Sequence, residues 1–150
     1  MNELAKTGKP IWLAFTLRDY FEDHPPQLRS RRLLSEALDA VAALPDTVKL
    51  EAVLFNCSQP ETMLPAMTMA AARVGDKIAL GAYANAFDEI RKKHKANEVV
   101  SKLREDLVED TDSYTAFAQS WVAAGARIIG GCCGIGPAHI KALSVLKQGT

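Results

Sequence analysis

The chain has 150 residues, 48% of them hydrophobic, and its 18 Lys and Arg balance its 18 Asp and Glu. That is enough for one ordinary domain with a sizeable core. Charge neutrality supplies no general attraction for nucleic acid, membrane or polyanions, so none of these is an expected partner and recognition must be local.

Apolar residues at 11–17, with Trp12, Phe15 and Thr16 favouring extended structure, predict a first strand that gives way to loop near Arg18. Residues 19–32, with Pro25, Pro26 and several charges, form a long excursion. A helix is expected over 33–44, where Leu34, Leu38, Val41 and Ala42 recur at helical spacing before Pro45 and Asp46 end it. A second strand, 50–55, is nearly continuous in apolar residues, as in a parallel sheet covered by helices, and Asn56 and Cys57 stand at its carboxyl end. Pro60 suits the first position of a helix that Ser58 or Gln59 opens and that runs to Val74, with Met63, Met67 and Met69 read as packing residues.

A third strand, 77–83, leads into GAYANAFDE. The basic run RKKHK at 91–95 is followed closely by acidic residues and lacks interleaved aromatics, so it reads as solvated surface. The segment REDLVEDTD interrupts the unit before a helix over 113–124. The fourth strand, 126–129, ends at Gly130, and Pro137 opens a closing helix to residue 146.

The fold class is therefore α/β: four consecutive βα units resembling the second half of a (β/α)8 TIM barrel, with 1–150 as one partial barrel domain. A doubly wound sheet is the rival, but no glycine fingerprint follows the first strand. No segment approaches the roughly twenty apolar residues of a membrane span, and no export signal is evident.

All three cysteines follow strands: Cys57 after the second, and the adjacent Cys132 and Cys133 within GGCCGIGP after the fourth. Such a set is a poor disulfide framework and suits a reducing compartment, here the cytoplasm. Three thiolates suit zinc and leave one tetrahedral position open, as catalytic zinc sites do. Neighbours in a regular strand point to opposite faces, so Cys132 and Cys133 need the relaxed backbone of Gly130, Gly131 and Gly134 to face one metal. Buried reduced thiols are the plainer alternative. A structural zinc is a third, requiring a fourth ligand for which His139 is the nearby candidate, although its place in the closing helix favours packing.

The chain resembles the homocysteine S-methyltransferase family, in the carboxyl-terminal half of its barrel. The resemblance rests on Asn56-Cys57, on Ala82-Tyr83-Ala84-Asn85 and on Gly130-Gly131-Cys132-Cys133-Gly134, extended by Trp121, Gly125, Pro137 and His139. It implies a cytoplasmic enzyme of methionine biosynthesis with Zn(2+) held by Cys57, Cys132 and Cys133. The activity implied is transfer of a methyl group from a small activated donor to the thiol of L-homocysteine. Sulfonium, quaternary ammonium and methylfolate donors all occur among relatives.

Asn56 is then expected to steady the metal-bearing loop, and Asn85 matches the asparagine of the family's YPN motif, with Ala84 where proline is usual. Thr16 and Arg18 fall at the same strand face as possible pocket lining, and no catalytic residue is assigned beyond the zinc site. Four further βα units precede this part in the family. Activity is accordingly expected only when the half barrel is completed by an amino-terminal half or by self-association. The competing function is a noncatalytic zinc-stabilised module in a larger assembly, and a further rival is a metal-free α/β assembly protein.

Overall fold

A computed structural model describes residues 6, 8–19, 24–88 and 102–147. The basic run at 91–95 lies outside them. Four parallel strands, β1 (Ile11–Thr16), β2 (Leu50–Asn56), β3 (Ala79–Tyr83) and β4 (Ala126–Ile129), lie side by side in chain order. They alternate with α1 (Leu34–Ala42), α2 (Pro60–Val74), the short α3 (Glu105–Val108), α4 (Thr111–Ala123) and α5 (Pro137–Leu143), which runs into a 3-10 turn at Ser144–Lys147. The four βα units expected from the sequence are present in order. Among the described residues no helix is long and apolar enough to cross a membrane.

Strand register divides the side chains between two faces. Leu13, Phe15, Val53, Phe55, Leu80, Ala82 and Ile129 belong to or pack on the helix-side core, which α1 completes with Leu34, Leu38 and Val41. Met63 and Met67 of α2 are fully buried and Met69 packs at the margin, while α4 adds Tyr114, Ala118 and Trp121. Trp121 meets the Tyr114 ring edge-on at 5.7 Å, a favourable aromatic geometry. The opposite face carries Trp12, Ala14 and Thr16 of β1, Leu54 and Asn56 of β2, Gly81 and Tyr83 of β3, and Ile128 of β4. Trp12 on that face is 58% exposed.

Element ends differ from the periodicity for local reasons. Leu33 stays extended and bridges Gln27, so α1 begins at Leu34. It stops at Ala42 because the residue before Pro45 is biased away from helical geometry. α4 begins two residues early because Asp110 caps it, accepting from the Asp112 amide at 2.9 Å and the Ser113 hydroxyl at 2.7 Å. The excursion after β1 is folded back by a Leu17–Leu28 bridge. α3 occupies what the sequence presented only as a charged interruption.

Candidate metal centre

Register fixes the floor of the site. Thr16 pairs with Asn56 and Asn56 with Tyr83, so three side chains share one row at the carboxyl end of the sheet. The Thr16 hydroxyl donates to Asn56 Oδ1 at 2.9 Å. β2 then leaves the sheet at Cys57, whose φ is +48°, in the left-handed region that side chains with a Cβ rarely adopt. Its amide donates to Tyr83 O at 3.1 Å.

The loop after β4 is bonded to the loop after β3 well beyond the strands. Gly130 N donates to Ala82 O at 3.0 Å, Cys132 N to Ala84 O at 2.9 Å, and Ala86 N to Cys133 O at 2.8 Å. The turn closes with Ile135 N on Cys132 O at 3.0 Å, and Gly134 takes φ +81°. A Cβ at Gly131 would overlap the Ile135 side chain. The chain thus folds tightly around the adjacent cysteines, and both sulfurs reach the same side.

The three Sγ atoms lie within 4.8 Å of one another, and Cys132 and Cys133 are 3.8 Å apart. A tetrahedral centre with metal–sulfur bonds of about 2.3 Å has an edge of about 3.8 Å, so the adjacent pair already has the separation of two zinc ligands. Cys57 and Cys132 are half-buried and Cys133 is exposed, which leaves the cluster open on one side. Burial, helped by hydrogen bonding with Cys57, pushes the Cys132 thiol up to about 12. The Tyr83 hydroxyl is raised by burial and by the neighbouring Cys132 and Cys57.

Asn85 is 1% exposed and lies against this cluster. Its Oδ1 accepts the Phe87 amide at 3.2 Å, which turns Nδ2 toward Cys57 Sγ at 3.9 Å. An amide so oriented offers its hydrogen to the sulfur.

A model of the homocysteine S-methyltransferase family matches residues 1–146. The chain belongs to that family. Among solved structures, it is similar to that of the homocysteine methyltransferase MmuM from Escherichia coli in an oxidized form, with a TM-score of 0.58 and 27% identity. That alignment covers 90% of this chain and 35% of MmuM, so the chain spans about a third of its relative's length. Comparison with curated proteins finds no match.

Other candidate residues of this family member take different places. Arg18 bonds Gln27 at 2.8 Å in the loop after β1. His139 is 4% exposed, and both ring nitrogens are engaged: Nδ1 accepts the Gly136 amide at 3.1 Å and Nε2–H donates to Leu107 O at 2.7 Å. Because a backbone amide must be the donor to Nδ1, the proton sits on Nε2. His139 therefore serves the α5 cap and the α3 contact, and is not available as a fourth metal ligand in this arrangement.

Two supports were not singled out from the sequence, and a third, Ser58, was read there only as a residue that could open α2. The Tyr114 hydroxyl donates to Gly130 O at 2.9 Å and lies 3.3 Å from Ala84 O, joining the two loops from behind. Burial holds that hydroxyl well above its ordinary pKa, so it stays a donor. Arg104 ties α3 to α2 through Glu61 at 2.6 Å and to Asp106 at 2.8 Å. Ser58, fully buried, bonds to Leu17 and Asn56. Only the tertiary fold gives these side chains their partners.

Proposed function

We propose that this chain carries the metal-bearing part of a homocysteine S-methyltransferase, with Zn(2+) held by Cys57, Cys132 and Cys133. L-homocysteine would be the methyl acceptor. The observation that carries this reading is the convergence of three sulfurs, from loops 75 residues apart in sequence, within 4.8 Å. The donor set is soft and anionic, as zinc prefers, and one side remains open for an exchangeable ligand. Bound zinc supplies positive charge that favours the thiolate of a coordinated substrate near neutral pH.

This chain's residues then have defined tasks. The three cysteines would hold the metal as thiolates, and Asn85 Nδ2 offers a hydrogen to the Cys57 sulfur. Thr16, Asn56 and Tyr83 line the floor beneath the open side. In the overall reaction the homocysteine sulfur loses its proton and forms an S–CH3 bond, while the donor's bond to that methyl breaks and its electron pair leaves with the donor. The product is methionine, and a reducing, cytoplasmic setting keeps the thiols available.

Turnover further requires strands beside β1 and β4. Each pairs on one side only among the described residues, and Trp12 of β1 stands 58% exposed on the face away from the helices. Four parallel strands do not close a barrel, and an open edge invites pairing. The completing strands would come from an amino-terminal barrel half or from a second copy. The engagement of both His139 nitrogens counts against a closed four-ligand structural site.

The test measures zinc stoichiometry and methionine formation in the purified chain at a determined oligomeric state. One zinc per chain with little turnover until barrel strands are supplied is expected. Absence of stoichiometric zinc would sink the metal reading, and vigorous turnover by a proven monomer would sink the requirement for completion.

A further inference from the structure

The thiol that ends β2 is held by a device built into the preceding strand pair. At Thr16 and Asn56 the β1–β2 register is intact, but one residue later β2 has turned away. Leu17 is 1% exposed, so its amide has neither a regular ladder partner nor water. Ser58 Oγ fills that place, accepting the Leu17 amide at 2.8 Å. Its single proton can go to Asn56 O at 2.8 Å or to Leu17 O at 3.2 Å, and the shorter contact points to Asn56. The side chain thus joins an amide of one strand's end to a carbonyl of the other's, directly around Cys57.

Other bonds secure the same turn from β3 and from the loop after β1. Cys57 N donates to Tyr83 O at 3.1 Å, Asn85 N to Ser58 O at 3.0 Å, and Arg29 Nη2 to Cys57 O at 3.4 Å. Ser58 is not needed to start α2: the capping residue is Gln59, whose side chain makes no capping bond. The hydroxyl's bonds all go to the two residues that bracket the departure from the sheet.

We propose that Ser58 is a positioning residue for the metal-binding thiol. Its buried hydroxyl latches the turn after β2 onto the end of β1 and holds Cys57 in the left-handed conformation that aims its sulfur at Cys132 and Cys133. The inference rests on the reading of the three cysteines as a metal site. A preset sulfur lowers the ordering cost of metal capture, so the latch acts on affinity through Cys57 without touching the metal.

The experiment titrates the full chain and its variants with zinc against a chromogenic chelator, and with cobalt(II), whose sulfur-to-metal absorption reports the number of thiolates bound. Ser58→Ala is expected to weaken zinc binding tenfold or more and to diminish the cobalt band, and Ser58→Thr to restore both. Val41→Ala, in α1 and remote from the site, is expected to lower thermal stability while keeping wild-type affinity. Wild-type affinity and spectrum in Ser58→Ala would overturn the inference, as would affinity in Val41→Ala falling in proportion to stability. Amide exchange in the wild-type chain gives an independent readout if Ser58→Ala fails to fold. Leu17 should exchange slowly, and rapid exchange there overturns the latch. A wild-type chain that takes up no stoichiometric metal overturns the metal site itself, an outcome distinct from failure of the Ser58 variant alone.

Discussion

Removing the sulfur of Cys57 separates a three-ligand site from a mere adjacent pair. Cys132 and Cys133 lie 3.8 Å apart on a loop bonded to the loop after β3, so Cys57→Ala leaves their geometry standing and deletes only the donor from β2. A zinc site of four protein ligands binds with about 10–16 kcal/mol at neutral pH, which divides to about 2.5–4 kcal/mol per ligand. At about 1.4 kcal/mol per tenfold, loss of Cys57 should weaken zinc binding by roughly two to three orders of magnitude. Because Cys57 is half-buried and outside the helix-side core, little packing should be lost with it. Chelator competition gives the affinity and elemental analysis the stoichiometry, with circular dichroism confirming the fold. Unchanged stoichiometry and affinity in a folded Cys57→Ala chain would refute its assignment as a ligand.

Tyr114→Phe keeps the ring against Trp121 but leaves Gly130 O without the 2.9 Å hydroxyl bond, and should cost about 1–3 kcal/mol in urea denaturation; wild-type stability would show that bond to be idle. Gly81→Ala places a Cβ 2.6 Å from both Ile128 O and Leu54 Cδ2, so β3 and β4 must shift, with an expected loss of about 1–3 kcal/mol; an unchanged melting midpoint would contradict the close approach. Asp106 is held below the usual carboxylate range chiefly by its hydrogen bond to Arg104. Its contribution is therefore present above the unfolded pKa and lost as pH falls through the lower folded value. Because Asp106 is largely exposed, Asp106→Asn should cost under about 1 kcal/mol at neutral pH, and the difference from wild type should vanish on acidification. A difference that grows in acid would reverse the sign and reject the pairing.

The strands were legible because each is a short apolar run ended by polar or glycine residues; β4 begins and ends at the expected residues. Pro60 likewise placed the start of α2. α3 was not legible, since four residues give too little periodicity to read and its single buried side chain, Leu107, sits among charges. The cysteines stood out by residue type and by glycine spacing. The conformation of Cys57 did not, because no glycine marks it and the left-handed turn is imposed by bonds from Leu17, Tyr83, Arg29 and Asn85. Asn85 could be picked from its neighbours, whereas its amide orientation follows from Phe87 N, a partner that sequence cannot assign.

The arrangement of strain bears on the choice between a metal site and ordinary core thiols. Core cysteines act as small apolar groups and belong in the packed interior. None of these three is in the helix-side core, and Cys133 is exposed. A left-handed residue with a Cβ costs about 1–2 kcal/mol, and Cys57 gains no apolar enclosure in return. Gathering three sulfurs within 4.8 Å adds mutual repulsion as soon as more than one is ionised. Packing alone gives free thiols little return for that strain and crowding. A cation shared among them offsets both costs, because it attracts each sulfur separately and is served best when all three are held on one side. The bonds that preset Cys57 and fasten the GGCCG loop are therefore what the proposed metal site would require of this end of the sheet.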